Sequence, residues 1–287
     1  MEIDRTQCNN KILEVLRFFI NICNENNLTY FVAYGSAIGA ALYQGFIPWD
    51  DDIDVIMPRP DFERFKQFFQ QRDMGKYEIV TPLNTPGYYM PFVKLCDKTT
   101  TILEQHRHHC LLGMCIDIFV IDGAKNDPKE METIRKKMYK YRRILELSNT
   151  YYTLSDLFRM YIRKKRIRAV LGYLLFSLNR RKFSTLAATE LEKLEKSYDY
   201  NHSEYVTNGY IIRPIYPKTW LEDKIMMPFE TLQVAMPREY NQWLNLFYGD
   251  YTQLPPEDQR HTHFKAYCNL EKRENIDEVL QKVKKIR

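Results

Sequence analysis

The stretch GFIPWDDDIDVIMP (Gly45–Pro58) places four aspartates within five positions, directly before an apolar run. The apolar residues predict a buried strand from about Ile53 to Met57, which Pro58 ends. Side chains alternate between the two faces of a strand, so Asp52 and Asp54 are expected to point the same way. Two carboxylates side by side repel each other unless a cation lies between them. The stretch therefore indicates either a solvated acidic turn or a cation site.

A strand, a Gly-Ser pair and a helix precede this stretch. Tyr30–Tyr34 indicates a short buried strand, Gly35 and Ser36 form a turn, and Ala37–Leu42 is a helix of small residues. Because glycine has no side chain to block approach, such a turn can bring backbone amides close to a phosphate. A Gly-Ser pair is also common in ordinary turns, so this feature gains weight only from its neighbours.

A third acidic position lies in a later strand. Residues 113–121 are apolar except for Asp117, which is typical of a central strand covered on both faces. A carboxylate there is costly unless it is hydrogen-bonded, paired or bound to metal. With Asp52 and Asp54 it would supply three carboxylates from two strands. Such hard oxygen ligands favour one or two Mg²⁺ ions, with Mn²⁺ as an alternative, and predict metal-assisted phosphoryl transfer.

Composition and charge limit the class of protein. The 287 residues are enough for one large domain, and 45% hydrophobic with 28% charged residues is ordinary for a globular protein. The formal charge of +5 suits an anionic substrate or membrane surface without requiring nucleic acid. The charged N-terminus lacks the apolar region of a signal peptide, and no run reaches the roughly 20 apolar residues of a membrane span. The sequence therefore predicts a cytoplasmic protein.

Six scattered cysteines, without a C-x-x-C pair, are expected to be buried free thiols. A zinc site formed by Cys110, Cys115 and residues 106–109, which contain three histidines, is the alternative.

Periodicity along the chain predicts an α+β fold: a mixed sheet core with flanking helices and a helical insertion. Helical spacing covers regions 12–23, 128–147, 185–198, 237–247 and 276–283, and strand-like runs cover 77–81, 88–96 and 224–234. We expect residues 1–150 to form the catalytic core, 151–200 a basic helical insertion, and 201–287 a C-terminal part that completes the same domain.

The insertion carries a basic cluster, residues 159–182, around the short apolar helix 169–176. Such a segment can make peripheral contact with an anionic membrane or grip a lipid-linked substrate. A solvated helical face is the alternative. If the segment does bind anionic vesicles, replacing the four basic residues 163–166 by serine should abolish that binding.

Three stretches resemble the LicD family. They are Tyr34–Ala40 continuing through Gly45–Asp54, residues 117–123 (DIFVIDG), and the tail from 246 to 256. The resemblance covers about residues 28–264, and the basic middle helices are its least familiar part. It implies a nucleotidyltransferase-like fold related to fukutin-type ribitol-phosphate transferases. It also implies transfer of phosphocholine or a polyol phosphate from a CDP-linked donor to a hydroxyl of a cell-surface glycan, with release of CMP.

The resemblance implies roles for the acidic residues and for the Gly-Ser pair. Asp52 and Asp54 would bind the metal, and Asp117 would complete the site, either as a ligand only or also as the base that takes the acceptor proton. Gly35 and Ser36 would bind the donor phosphates. The remaining aspartates of the stretch, at positions 50 and 51, would play supporting roles.

Four further residues are candidates for substrate contacts. Lys94, in a strand-like run, is expected to contact the donor phosphates, with an ordinary exposed strand lysine as the alternative. Arg107 and His263 are weaker phosphate candidates. Trp49 could offer the aromatic face that the quaternary ammonium of choline requires.

Two other functions remain open. One is a nucleotidyltransferase that acts on RNA or a small molecule, and the other is a non-catalytic glycan-assembly protein on the same fold. The basic residues cluster in one segment and do not alternate with base-stacking aromatics, so no nucleic-acid partner is expected. The three intact carboxylates argue against a loss of activity.

Overall fold

The computed structural model describes residues 5–162, 167–208, 214–253, 255–260, 262 and 265–286. Its helices are α1 (Arg5–Glu25), α2 (Tyr34–Ile38), α3 (Arg59–Gln71), α4 (Pro128–Asn149), α5 (Leu154–Ile162), α6 (Ile167–Ser177), α7 (Arg180–Glu195), α8 (Tyr240–Tyr248) and α9 (Ile276–Ile286). Its strands are β1 (Phe31–Val32), β2 (Asp54–Pro58), β3 (Tyr77–Val80), β4 (Val93–Leu103), β5 (Leu112–Ala124), β6 (Tyr205–Asn208), β7 (Ile215–Pro217), β8 (Lys224–Phe229), β9 (Leu232–Pro237) and β10 (Tyr267–Asn269).

Eight strands form one mixed sheet in the order β1-β2-β5-β4-β10, with β3 on β4, and β6 and β7 continuing from β5. The pair β2–β5 is parallel, and the other pairs of this sheet are antiparallel. Helices flank the sheet, and β8 and β9 form a separate hairpin. The predicted α+β class with a mixed sheet core is confirmed.

The register of the central strands brings charged residues together. Asp54, the first residue of β2, lies opposite Asp117 of β5. On the other side of β5, Lys94 of β4 lies opposite the same Asp117. Three charged residues therefore stand side by side across three neighbouring strands.

The main hydrophobic core packs α1 and α8 with the sheet and the β8–β9 hairpin. Leu16 and Phe19 of α1 are fully buried, and Phe19 makes edge contacts with the rings of Tyr30 and Phe65. Trp243 of α8, more than 170 residues after β2, is buried in the same core. The C-terminal third thus packs directly on the elements that carry the acidic stretch.

The structure differs from the sequence-based expectation at several points. In the run 88–96, the strand β4 begins only at Val93. Gly35 and Ser36 lie within the first turn of α2, whereas the sequence suggested a turn before the helix. The run 224–234 is part of a hairpin, whose turn at Glu230 adopts a positive φ of 53°. Pro237 ends β9, and the following helix begins at Tyr240. β9 pairs with β8 alone, and a proline is tolerated at the end of such an edge strand.

All six cysteines are free, as expected. Four are buried, whereas Cys115 and Cys268 are only half-buried. Within the described residues, no group of three His, Cys, Asp or Glu side chains is assembled closely enough to hold a metal ion. The zinc site considered for Cys110, Cys115 and residues 106–109 therefore has no support.

Candidate active site

Tyr34 begins the site with a backbone conformation that is rare for a large side chain. Its φ is 50°, in the left-handed region, and such strain persists only where the surroundings impose it. The Tyr34 ring contacts the rings of Phe119, Trp243 and Phe247, and Asn208 donates a hydrogen bond to the Tyr34 hydroxyl. Packing from β5, β6 and α8 thus fixes the entry to α2.

The Gly-Ser pair lies against both ends of the acidic stretch, at Asp50 and Asp54. A Cβ atom at Gly35 would lie only 2.6 Å from Oδ2 of Asp50, so a larger residue here would make the Asp50 carboxylate turn away. The Oγ atom of buried Ser36 accepts a hydrogen bond of 2.9 Å from the backbone N–H of Asp54. The Ser36 hydroxyl keeps its own hydrogen for donation. The pair therefore positions two aspartates and can still donate to a phosphate.

Asp52, Asp54 and Asp117 form an electrostatically coupled group. Burial raises the pKa of Asp54 well above its usual value, and the charges of Asp52, Asp117 and Asp50 add to this effect. Burial also raises the pKa of Asp117, to about 6, although Lys94 opposes the shift. Carboxylates that disfavour one another's ionisation in this way are stabilised by a nearby cation.

Lys94 is one such cation, and its side chain is almost fully buried. Its Nζ atom lies 2.6 Å from Oδ1 of Asp117 and 3.0 Å from Oε1 of Glu104. Glu104 also accepts a hydrogen bond of 3.2 Å from the hydroxyl of Tyr89, whose ring stacks on that of His108. An ammonium group has three donors, and two are accounted for by these carboxylates. The exposed strand lysine considered as the alternative is therefore wrong.

Two neighbours of the site escaped the sequence analysis. Glu104 follows the last residue of β4, and no spacing pattern marks it as the partner of Lys94. Tyr248 of α8 lies near the acidic stretch: burial raises its pKa, and the charges of Asp54, Asp50 and Asp52 raise it further. The tail in which Tyr248 lies was noticed, but nothing in the sequence places it beside β2.

The C-terminal part of the chain also contacts the acidic stretch. Buried Asp51 forms an ion pair of 2.5 Å with Lys265. The guanidinium of Arg260 lies over the ring of Trp49, 4.8 Å from its centroid. The hydroxyl of Thr262 donates a hydrogen bond of 3.1 Å to the backbone carbonyl of Trp49. Asp51 thus takes part in holding the C-terminal segment against the stretch.

The structure brings together most of the residues that the sequence selected, namely Gly35, Ser36, Asp52, Asp54, Lys94 and Asp117. Trp49 lies at the end of the same stretch, against Arg260. Arg107 points elsewhere: it forms an ion pair of 2.6 Å with Asp156 of α5. His263 lies outside the described residues.

The donor set suits a hard divalent cation. Asp54 and Asp117 are register partners, Asp52 is close enough to perturb both, and all supply carboxylate oxygens. Because no three acidic side chains of the described residues are grouped closely enough to hold a metal ion, metal binding would require these side chains to move. A cation there would offset the mutual repulsion that raises the pKa of Asp54.

This arrangement is suited to moving a charged phosphoryl group. Clustered carboxylates can hold a cation, while Lys94 and the Ser36 hydroxyl provide donors for phosphate oxygens. Asp117, as a carboxylate beside this group, could also accept the proton of an attacking hydroxyl.

Comparison with known proteins identifies the family. Residues 27–153 match the model of the LicD/FKTN/FKRP nucleotidyltransferase domain. The chain is also 30% identical over 255 residues to the lipopolysaccharide cholinephosphotransferase LicD of Haemophilus influenzae, covering 88% of this chain and 92% of that protein. A shorter match, 27% identical over 105 residues, links it to an uncharacterised protein of Rickettsia prowazekii and covers 37% of this chain and 31% of that protein.

Proposed function

The chain belongs to the LicD family, and on this basis we propose that it transfers phosphocholine, or a related polyol phosphate, from a CDP-linked donor to a hydroxyl of a cell-surface glycan. The acceptor oxygen would form a bond to the phosphorus of the transferred group, while the bond to CMP breaks. The similarity to a lipopolysaccharide cholinephosphotransferase supports phosphocholine as the group and a glycan as the acceptor. The observation that carries the proposal is the side-by-side placement of Asp54, Asp117 and Lys94.

We propose that Asp52, Asp54 and Asp117 hold one or two Mg²⁺ ions, with Mn²⁺ as an alternative. When bound, the metal would neutralise the donor phosphates and stabilise the charge that develops on the departing CMP. The charges of Asp52 and Asp117, which add to burial in raising the pKa of Asp54, support a cation at this position.

Lys94 and Ser36 would orient the donor. The third donor of the Lys94 ammonium is the group that would reach a phosphate oxygen, since Asp117 and Glu104 accept from the other two. Ser36 would donate its hydroxyl hydrogen while its oxygen continues to hold Asp54. Asp117 would take the proton of the acceptor hydroxyl as the new bond forms.

Trp49 is the proposed aromatic contact for choline. Its ring face already accepts a cation, because Arg260 lies over it. A quaternary ammonium prefers such a face and forms no hydrogen bond. Choline would take the other face of the ring or displace Arg260.

We propose a cytoplasmic location, where the enzyme would meet a glycan or lipid-linked glycan acceptor at the inner face of the membrane. The basic segment 159–182 would make the peripheral contact.

Release of CMP from a panel of CDP-alcohols tests the reaction. The purified protein, Mg²⁺ and a glycan acceptor should release CMP with CDP-choline or with one of the CDP-polyols. Chelating the metal should stop the release, and Asp54→Asn should lower it by about 10³-fold or more, since the site loses a charged ligand. Asp223→Asn, at an exposed aspartate outside the site, is the control and should keep full activity.

Two results would overturn the proposal. One is the absence of CMP with every donor together with incorporation of nucleotide into RNA, which would favour a nucleotidyltransferase. The other is full activity of Asp54→Asn with Mg²⁺, which would rule out the assigned metal site.

A further inference from the structure

The helices α5 and α6 expose an unusual amount of apolar surface. Of the 17 large hydrophobic side chains that are exposed in the described residues, 11 lie between Tyr151 and Leu186. Leu154 and Leu178 are the most exposed of all, at 86% and 82%. Single exposed apolar residues are normal on a protein surface, but a contiguous set marks a binding surface.

These side chains follow the periodicity of a packed helix face. In α5 they occupy Leu154, Phe158, Tyr161 and Ile162, at spacings i, i+4, i+7 and i+8. The same spacing recurs in α6, at Ile167, Leu171, Leu174 and Leu175. Leu178, directly after α6, adds a fifth side chain at i+11. Such a stripe normally faces a protein core. We call these nine side chains the α5–α6 face.

The interior of the described structure does not cover this face. None of the residues of α5 is buried, and Tyr173 is the one buried residue of α6. Tyr173 anchors α6 through its hydroxyl, which accepts a hydrogen bond of 3.0 Å from Arg180. The two helices are therefore attached to the protein through other side chains, and the side chains of the α5–α6 face are left exposed.

Positive charge lies close in the chain to the α5–α6 face. Arg159 of α5, Arg168 of α6 and Arg181 and Lys182 at the start of α7 are exposed. Between positions 154 and 189 the sequence has one carboxylate, that of Asp156, and Arg107 pairs with it at 2.6 Å. An apolar stripe bordered by basic side chains complements a bilayer with anionic headgroups, since the apolar groups enter the acyl region while the cations meet the phosphates.

We propose that the α5–α6 face docks on an anionic lipid bilayer by inserting its apolar side chains below the headgroups. No described helix has the length and apolarity to cross a bilayer, so the helices would lie in the plane of the interface. The membrane contact would then involve a defined apolar surface in addition to the basic residues of segment 159–182. The four basic residues 163–166 lie outside the described residues, and the proposal does not depend on them.

The docking face is connected to the candidate active site. Asp156, in the first turn of α5, pairs with Arg107, and the N–H of Tyr151 donates a hydrogen bond of 2.8 Å to the carbonyl of Arg107. Arg107 belongs to the loop that begins with Glu104, the partner of Lys94. Docking would therefore hold this loop, and the site beside it, against the membrane. This consequence for a lipid-linked acceptor rests on the proposed function, whereas the docking itself does not.

Binding to vesicles tests the proposal without donor or acceptor. The wild-type protein should float with vesicles of phosphatidylglycerol and phosphatidylethanolamine and should bind pure phosphatidylcholine vesicles much more weakly. The variant Leu154→Ser/Phe158→Ser/Leu178→Ser should bind the anionic vesicles roughly tenfold more weakly or worse. These three side chains are at least 68% exposed, so the variant should keep the wild-type melting temperature.

A matched control separates insertion from general loss of apolar surface. Leu83, Tyr139 and Met226 are exposed hydrophobic residues on other elements, and their triple replacement by serine should leave vesicle binding unchanged. Depth can be read from quenching by brominated lipids. Phe158→Trp should be quenched, while Tyr139→Trp, at a side chain that is also 68% exposed, should not.

Three outcomes would overturn the proposal. They are unchanged vesicle binding by the triple variant, equal binding to neutral vesicles, and absence of vesicle binding combined with a dimer that the same variant dissociates. The last would assign the face to a second copy of this chain. Because no donor is present, none of these outcomes depends on whether the transfer reaction takes place.

Discussion

At the scale of single residues, the site is built around charges that would be costly if left alone. Lys94 lies between Asp117 and Glu104 in a nearly closed environment. Removing one member of a buried ion pair leaves an uncompensated charge, which typically costs about 3–5 kcal/mol. The two ion pairs of Lys94 therefore stabilise the fold, and the pair with Asp117 also influences the charge on that carboxyl group.

Replacing Lys94 tests this coupling. Lys94→Met should lower the free energy of unfolding at neutral pH by about 3 kcal/mol and lower CMP release by about 10²-fold or more. Chemical denaturation and the donor assay would measure the two effects. Lys94→Arg, which keeps the charge, should retain more of both. Wild-type stability of Lys94→Met would contradict the buried ion pair.

The close approach at Gly35 gives a second prediction. Gly35→Ala would bring a methyl group to 2.6 Å from Oδ2 of Asp50, so the Asp50 carboxylate must turn away. We expect a fall in CMP release with a loss of only about 1 kcal/mol in unfolding free energy, because the displaced group is the end of a side chain; both are measured on the same sample. Gly172→Ala in α6 is the control, because the nearest atoms lie 3.5 Å from the added group and alanine favours a helix. Equal behaviour of the two variants would contradict the role of Gly35.

At the scale of elements, a buried charge network joins α3, β5 and α7. Arg59 forms ion pairs of 2.6 Å with Asp122 and 3.2 Å with Glu195. Burial raises the pKa of Glu195 to about 7; Arg59 opposes the shift, and Asp122 adds to it. One guanidinium is thus shared by a buried carboxylate, Asp122, and a half-buried one, Glu195. The folded protein keeps a proton on Glu195 more readily than the unfolded chain does.

This network predicts a pH dependence of stability. The pKa of Glu195 is higher in the folded state than in the unfolded chain. Its favourable contribution to the free energy of unfolding is therefore complete below about pH 4.5 and is lost as the pH rises through about 7. The loss is at most about 3 kcal/mol. The unfolding free energy of Glu195→Gln relative to wild type should therefore increase over this range.

Denaturant unfolding between pH 4.5 and 8 would measure the difference. Glu190→Gln, on the same helix and paired with Lys193, controls for the loss of a helix carboxylate. A difference between Glu195→Gln and wild type that stays constant with pH would contradict the raised pKa of Glu195.

Local sequence patterns predicted those helices and strands whose apolar residues face the core in the folded protein. The amphipathic spacing of α1, the helical spacing of α4 and the apolar run of β5 are all found in the structure. The Asp127 carboxylate accepts hydrogen bonds from the N–H groups of Lys129 and Glu130, which is the capping interaction that its position predicts. The boundaries of α8 and of the β8–β9 hairpin depend on strand pairing, so local periodicity could not locate them.

The candidate site shows the same difference between what local patterns predict and what long-range packing decides. Asp52, Asp54 and Asp117 could be selected because carboxylates are conspicuous next to apolar strands. Their grouping required the parallel register of β2 and β5, which joins residues 63 positions apart and has no local signature. Glu104 and Tyr248 reach the site through a loop and a distant helix, and their sequence surroundings carry no sign of it.

At the scale of the whole molecule, the C-terminal third supplies part of the core. β6 pairs with β5, and β10 pairs with β4. Trp243 is fully buried against Tyr34, and Lys265 pairs with Asp51 of the acidic stretch. From these contacts we propose that residues 201–287 complete the domain that residues 1–150 begin.

Truncation tests this expectation directly. A chain ending at residue 203 loses β6, the β8–β9 hairpin and α8, and burial of Trp243 alone is worth about 3–5 kcal/mol. Since whole domains are stable by only about 5–15 kcal/mol, this chain should show no cooperative melting transition by circular dichroism. A chain ending at residue 275 loses only α9, whose Val279 and Val283 pack in a small separate cluster, and it should still melt cooperatively at a lower temperature.

Cooperative melting of the shorter chain would mean that residues 1–203 fold alone. The C-terminal third would then be a separate unit placed over the site, and the contacts of Tyr34 and Asp51 would be an interface between two units of the chain.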